Sequence, residues 1–282
     1  MYFCFMALLK QIFNFYIDSS IHVALAVYAL SLVTLLEFGI PYDEIVLYFI
    51  FFATITGYNF VKYFGLARFH HRSLTNWLKV IQVFSLLCFI GMCYFALKLE
   101  PMSLIVILGF GIVTFLYAIP FLPNKILYDK HKNLRNVSGL KVYIIALVWA
   151  GVTVVLPLLN NHVPLYADVV VASFQRFVFV AVLMFPFEIR DLNYDSLKLA
   201  TIPQQIGVKK TKIVGVLLLM VFFFLEFLKP QLNVEHIVIV LITTFITLMF
   251  LIFANRNQGK YYSSFWVEGI PIYWLLLMLL LL

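Results

Sequence analysis

Hydrophobic residues run through this chain in long blocks that are separated by short polar or charged stretches. Nine blocks approach the length of about 20 residues that a helix needs to cross the hydrocarbon core of a bilayer. They lie at about 21–39, 44–64, 78–97, 102–122, 142–160, 168–187, 213–228, 236–254 and 264–282. Their apolar residues are continuous and lack the alternation of membrane β-strands. The pattern therefore predicts an all-α fold, a polytopic membrane bundle of about nine transmembrane helices.

The first 20 residues have a different pattern. Lys10, Gln11, Asn14 and Asp18 recur at helical spacing along one face of an otherwise apolar stretch. Such a stretch is typical of a helix that lies on the membrane surface. We therefore expect a single membrane domain, with an interfacial helix over residues 1–20 and a nine-helix bundle over residues 21–282.

Composition excludes several classes of protein. Of the 282 residues, 64% are hydrophobic and 12% are charged, whereas soluble domains carry about 25% charged residues. A soluble enzyme, a secreted disulfide scaffold and a disordered protein are excluded. The net charge of +7 indicates basic loops that contact membrane lipids, and no nucleic-acid partner is expected. The three cysteines lie in apolar stretches without metal or redox spacing and are predicted to be packing residues.

The basic residues predict the orientation of the chain. With nine spans, 17 of the 20 Lys and Arg residues fall on one side, in the N-terminal segment and in the loops after the second, fourth, sixth and eighth spans. Basic loops face the cytoplasm in most membrane proteins. The N-terminus is therefore predicted to be cytoplasmic and the C-terminus to lie outside.

One acidic cluster follows the sixth span. Glu188, Asp191 and Asp195 are spaced i, i+3 and i+7, so they share one face of a helix. Three like charges repel each other unless a cation lies among them, and hard oxygen ligands suit Mg²⁺. The spacing predicts a single magnesium site. The alternative is a solvated helix end in which Arg190 and Lys198 are the ion-pair partners.

The segment around this cluster resembles the UbiA family of intramembrane aromatic prenyltransferases. Members carry an acidic motif Asp-x-x-Asp-x-x-x-Asp after the sixth helix, and here Glu188, Asp191 and Asp195 fill its acidic positions. The family's following Thr-Leu-Pro-x-x-x-Gly segment matches Thr201-Ile202-Pro203-Gln204-Gln205-Ile206-Gly207. Weaker matches are Tyr117-Ala118-Ile119-Pro120 and Ser138-Gly139.

The resemblance implies an activity. UbiA enzymes bind the diphosphate of a polyprenyl donor through Mg²⁺, held between acidic motifs after the second and sixth helices, and transfer the prenyl group to an acceptor. By this resemblance, Asp191 and Asp195 are catalytic, and Glu188, Asp191 and Asp195 hold the metal. The implied partner is a polyprenyl diphosphate or a related isoprenoid lipid.

The first acidic motif of the family is missing. The matching segment begins at Asn59, but Phe60, Tyr63 and Ala67 stand at the acidic positions. Basic residues gather there instead. In one interpretation these cations bind the diphosphate directly, as Arg and Lys do with phosphates, and the predicted substrate-binding residues are Asn59, Lys62, Arg68, Arg72 and Lys198. In the other, the protein is a catalytically degenerate isoprenoid or lipid binder.

Three further residues are ionisable inside predicted spans. We expect Arg176, in the sixth span, to extend toward the outer surface rather than to pair with a carboxylate. Glu226 and Glu268 are intramembrane carboxylates and therefore functional candidates, but neither has an obvious partner in the sequence. A transporter is less favoured than an isoprenoid enzyme, because transporters place ionisable residues at mid-membrane in paired halves.

Overall fold

The computed structural model describes residues 2–69, 76–118, 139–193, 201–229 and 233–282, and within these ranges the chain is helical without strands. Ten helices follow in order: α1 (Tyr2–Asp18), α2 (Ile21–Glu37), α3 (Glu44–Phe69), α4 (Asn76–Ala96), α5 (Pro101–Ala118), α6 (Leu140–Asn160), α7 (Ala167–Asp191), α8 (Ile202–Leu228), α9 (Val234–Phe253) and α10 (Tyr262–Leu281). The all-α prediction is confirmed.

The predicted spans coincide with α2 to α10, although not all of these helices are equally long. Seven of them, α3, α4 and α6 to α10, are long and apolar enough to cross a membrane. The helices α1 and α2 meet at a bend of 53° and together make up an eighth candidate. The remaining helix, α5, is apolar but shorter, and the predicted end of its span at 122 lies outside the described residues. The count of nine is therefore approximate.

The interior of the bundle is built around α7. This helix packs between α6 and α8 and is buried over most of its length, including six consecutive residues from Val178 to Leu183. The helices α2, α3, α9 and α10 complete the core, while α4 packs on the outside of α3. The close approach of α8 to α9 depends on Gly215, where a Cβ atom would lie 2.5 Å from the Leu251 side chain.

Contacts between helix ends agree with the predicted alternation of the spans. At one end of the bundle, Asp43 accepts hydrogen bonds from Asn160 and Asn161, and Glu100 lies 3.8 Å from His162. At the other end lie the last turns of α3 and α7 and the starts of α6 and α10, which we call the cavity end. The prediction that this end faces the cytoplasm concerns the membrane and stays a prediction.

Arg176 corrects one expectation from the sequence. Its side chain is buried rather than extended to the outer surface, and its guanidinium lies 3.9 Å from the Glu37 carboxylate. It also donates a hydrogen bond of 2.9 Å to the carbonyl of Leu30 and stacks on the ring of Trp274. A buried guanidinium requires such partners, because without them the cost of removing it from water is several kcal/mol.

Lys229 completes this buried charge cluster, which consists of Arg176, Lys229, Glu37 and Glu226. The Lys229 ammonium lies 2.7 Å from Glu226 and 3.5 Å from Glu37. Burial lowers the pKa of Lys229, but the two carboxylates outweigh burial and raise that pKa above its ordinary value. The cluster is electrically balanced and joins α2, α7 and the end of α8 at the end of the bundle opposite the cavity end.

Candidate functional site

A cavity of about 690 Å³ opens at the cavity end of the bundle. It lies between α3, α6, α7 and α10, and the last turn of α1 covers part of it through Ile17 and Asp18. Deeper in the bundle its wall is mostly apolar and aromatic, with Val148, Trp149, Val180, Leu183, Met184 and Phe187 among the lining residues. A cleft of this size, with an apolar wall and a polar mouth, has the shape expected for a small-molecule or lipid site.

Charged side chains line the cavity around its mouth. Four are cations, contributed by α3, α6, α7 and the residue two positions before α10: Lys62, Lys141, Arg190 and Lys260. Three are acids, Asp18, Asp191 and Glu268. The described lining therefore carries one net positive charge. Charges of both signs from separate helices converge on one space, as they do where a polar ligand group is bound.

Lys141 lies between two members of the predicted acidic trio. Its ammonium is 3.4 Å from Oε1 of Glu188 and 3.5 Å from Oδ2 of Asp191. The backbone positions it there, because Gly139 takes a φ of +68° immediately before α6, a conformation that glycine adopts without strain. Glu188 itself is buried and does not line the cavity. Lys141 thus separates Glu188 from the open space.

Arg190 occupies the other side of Asp191. Its Nε and a terminal nitrogen both donate to Oδ1 of Asp191 at 2.8 Å, and its guanidinium stacks over Phe187. Both oxygens of Asp191 therefore face fixed cations. Among the described residues no three His, Cys, Asp or Glu side chains converge as a metal would require. Lys141 lies between the two described carboxylates of the trio. Asp195 lies outside the described residues, so the magnesium site stays a prediction.

Asn59 does not line the cavity but supports Lys62. The buried Asn59 amide donates to the Ser19 carbonyl at 3.0 Å and to Ser85 Oγ at 2.7 Å. Its oxygen accepts a bond of 2.8 Å from Ser20 Oγ, which in turn accepts one of 2.8 Å from the Lys62 ammonium. Asn59 therefore acts on the cavity indirectly, by fixing the bend between α1 and α2 against Lys62.

The last helix is tied to α1 at the mouth. Asn14 Oδ1 accepts hydrogen bonds of 2.8 Å from both the Lys260 ammonium and the Tyr261 hydroxyl. Phe13 packs edge-on against Tyr261 and Phe265. These contacts place α1 across the start of α10. They also explain why Asn14 and Asp18, which the sequence places on one face of the first helix, point toward the bundle.

The segment Thr201–Gly207 forms the first turns of α8. Backbone N–H of Thr201 donates to Oε1 of Gln204 at 3.0 Å, and Pro203 stands in the first turn, where its missing N–H is not needed. Gly207 kinks the helix with a φ of +81°. The segment therefore combines a capped helix start with a kink within the first turns of α8.

Several predicted site residues lie outside the described part of the chain. Asp195, Arg72 and Lys198 are not described, and Arg68 is in α3 but its side chain is not described. Their predicted roles stay predictions. Of the predicted set, the structure places Lys62 and Asp191 at the cavity, and places Glu188 and Asn59 behind it.

Lys141, Arg190 and Lys260 are not recognisable as a site from the sequence. Lys141 and Lys260 counted only toward the basic loops, and Arg190 only as an ion-pair partner. Their common feature is that each lies at a helix end on the predicted basic side of the membrane. That feature alone does not separate a ligand-binding cation from one that contacts lipid headgroups.

Comparisons with known proteins identify the fold. The chain matches a solved structure from a study of digeranylgeranylglyceryl phosphate synthase in membranes, with a TM-score of 0.57 over 96% of this chain and 98% of that chain, at 14% sequence identity. No protein-family model and no curated protein sequence matches. The chain therefore has a UbiA-like fold and is an integral membrane protein with several transmembrane helices.

Proposed function

We propose that this protein is a divergent UbiA-like prenyltransferase that binds the diphosphate of an isoprenoid donor with fixed cations. The observation that carries the proposal is the cavity itself, where Lys62, Lys141, Arg190 and Lys260 surround the mouth of a space with apolar walls. A prenyl diphosphate has the same division into an anionic head and an apolar chain. The fold it shares with a digeranylgeranylglyceryl phosphate synthase structure also supports the proposal.

The head of the donor binds between two groups of cations. Lys62 lies on the α3 side, where the first acidic motif of the UbiA family is missing, and Lys141 and Arg190 lie on the α6 and α7 side. Lysine and arginine donate charge-assisted hydrogen bonds to phosphate oxygens. Because these cations are already held by Ser20, Glu188 and Asp191, they need little reorganisation when the leaving diphosphate gains charge. Such fixed charges lower the barrier to departure of the leaving group.

The prenyl chain lies along the deeper wall. Trp149 donates a hydrogen bond of 2.8 Å to the Tyr58 hydroxyl, which fixes one aromatic edge of the cavity. Val148, Val180 and Met184 line the same space. These side chains exclude water from the carbon at which the bond to diphosphate breaks, so capture by an acceptor is favoured over hydrolysis.

The proposal does not require the predicted magnesium ion, and the test decides whether Mg²⁺ contributes to donor binding. Glu188, Asp191 and Asp195 are its ligands by sequence, and Lys141 lies between the two that are described. If the fixed cations are sufficient, donor binding does not depend on Mg²⁺.

The test measures donor binding and diphosphate release by the purified protein in nanodiscs. Radiolabelled geranyl, farnesyl and geranylgeranyl diphosphates are the probes. We expect Lys62→Gln and Lys260→Gln each to weaken donor binding about 10- to 100-fold, the value of one hydrogen bond to a charged group. Lys98→Gln is the matched control, because Lys98 is exposed at the opposite end of the bundle, where it donates to Tyr94.

The possible results separate the candidate functions. Binding followed by diphosphate release supports the transferase. Binding without release in the presence of a range of acceptors supports the non-catalytic isoprenoid binder. The absence of binding for every donor overturns both proposals.

A further inference from the structure

A carboxylate in the cavity remains outside the donor site described above. Glu268 lies in α10, within a span whose other residues are mostly apolar, and its side chain lines the cavity. A carboxylate inside a membrane span is costly, and such residues usually face a cavity and serve function. Among the described residues, no hydrogen bond and no ion pair within 4 Å engages this carboxylate. Lys62 and Arg190 act on it electrostatically from a greater distance.

The backbone around Glu268 is held in an unusual conformation. Residues Tyr262–Val267 form a π-helical turn, and the N–H of Glu268 donates to the carbonyl of Ser263, five residues earlier, at 3.1 Å. Such turns cost stability and are frequent at functional sites. The turn brings Lys260, Ser264 and Glu268 to the same cavity wall.

Contacts from α1 and α2 fix this turn. The His22 ring lies between Tyr16 and α10, with Nε2 at 2.8 Å from the Phe265 carbonyl and Nδ1 at 2.7 Å from the Tyr16 hydroxyl. Since a carbonyl oxygen only accepts, Nε2 carries the proton. Gly269 permits the close packing, because a Cβ there would lie 2.8 Å from the Phe265 carbonyl oxygen and 3.4 Å from His22 Nε2. Glu268 is therefore positioned on a rigid segment.

The other acids of the site are poorly placed to accept a proton. Both oxygens of Asp191 face cations, at 2.8 Å from Arg190 and 3.5 Å from Lys141. Glu188 lies behind Lys141 and does not line the cavity. Asp18 lines it from the last residue of α1, at the 53° bend of the eighth candidate span. Of the described acids that line the cavity, Glu268 alone combines a carboxylate that has no partner within 4 Å with a position inside an unbroken span.

We propose that Glu268 is the proton acceptor for the incoming substrate, and that this substrate attacks through an alcohol or phenol hydroxyl. The inference rests on the proposed prenyl transfer. Ser264 and Thr54 line the same cavity as Glu268 and provide hydroxyl groups that can orient such an acceptor.

The step balances without a further reactant. The donor's carbon–oxygen bond breaks, and its electron pair leaves with the diphosphate toward Lys141 and Arg190. A lone pair of the acceptor oxygen forms the new carbon–oxygen bond of a prenyl ether, and the hydroxyl proton passes to Glu268. Protonated Glu268 then releases the proton to water at the mouth of the cavity.

The experiment measures donor binding and ether formation separately. The protein in nanodiscs receives radiolabelled geranylgeranyl diphosphate with 1-dodecanol or 1-naphthol as the acceptor probe. We expect the wild type to form a prenyl ether with at least one probe. General-base catalysis contributes about 10²- to 10⁴-fold, so Glu268→Gln should lower the rate of ether formation by at least 100-fold while donor affinity changes less than about threefold. Glu268→Asp should retain an intermediate rate.

Controls separate a lost proton acceptor from lost folding. Glu235→Gln removes an exposed acid from the start of α9 and should leave both readouts unchanged. Thermal unfolding verifies that Glu268→Gln folds. Asp18→Asn is measured in parallel. The inference is overturned if Glu268→Gln forms the ether at the wild-type rate, or if ether formation is lost in Asp18→Asn and not in Glu268→Gln. It is also overturned if the wild type binds the donor but forms no ether with either probe. If the wild type binds no donor, the proposed function itself fails. The donor-binding measurement shows this separately from ether formation.

Discussion

Replacing Arg176 by Met tests how the buried charge cluster stabilises the bundle. The change keeps most of the side-chain volume but removes the charge-assisted hydrogen bond of 2.9 Å to Leu30 and the cation–π contact with Trp274. These are worth about 1.5–3 and about 2 kcal/mol when buried. Folding of the mutant, however, no longer carries the cost of removing a guanidinium from water. We expect a net loss of about 3 kcal/mol, at the lower end of the range for breaking one partner of a buried ion pair.

The remaining charges make the prediction sharper. Without Arg176, the cluster contains Glu37, Glu226 and one cation, Lys229, which lies closer to Glu226 than to Glu37. Adding Glu37→Gln restores electrical balance, so the double mutant should recover about 1–2 kcal/mol relative to Arg176→Met alone. Coupling of this size is typical of residues in one charge network.

Thermal unfolding of the purified protein measures both effects. A loss of about 3 kcal/mol corresponds to a fall in Tm of about 6–12 °C. The control is Arg256→Met, which removes an exposed arginine outside the spans and should not change Tm. The predicted role of the cluster is wrong if Arg176→Met has an unchanged Tm, or if the Tm loss of the double mutant equals the sum of the two single losses.

The remaining predictions concern packing and the support of the cavity. Gly215→Ala should cost about 1–3 kcal/mol despite the better helix propensity of alanine, because the new Cβ would lie 2.5 Å from fully buried Leu251. Adding Leu251→Ala should recover part of that loss in Tm, and equal Tm values for Gly215→Ala and wild type would contradict this packing. Asn59→Leu should lower both Tm and donor affinity, since it removes the bond that holds Ser20 against Lys62. Ser85→Ala is its control, because Ser85 accepts from the Asn59 amide nitrogen and not from the oxygen that meets Ser20, so its loss should leave donor affinity within about threefold.

Hydrophobic blocks predicted the helices because burial in lipid requires long apolar segments whose backbone bonds are satisfied internally. They predicted poorly where a helix is short or bent, as at α5 and at the 53° junction of α1 and α2. Packing decides those cases, and the contacts of Phe13 and Asn14 with the start of α10 join residues more than 240 positions apart.

Local sequence patterns account for some of the residues that the structure places at the cavity or behind it. The spacing of Glu188 and Asp191 placed both on one helix face, and Lys62 marked the basic replacement for the missing acidic motif. No sequence pattern indicates that Lys141 lies between the two carboxylates, because that contact depends on how α6 packs against α7. Arg176 was misplaced for a similar reason, since its partner Glu37 is on α2, far away in the sequence.

The most direct test of the central claim is the equilibrium binding of radiolabelled geranylgeranyl diphosphate to the protein in nanodiscs, with excess EDTA and then with Mg²⁺. Binding by fixed cations predicts the same Kd, within about threefold, in both conditions and a clear loss of affinity in Lys62→Gln. Binding that appears only with Mg²⁺ and is indifferent to Lys62 would contradict the account.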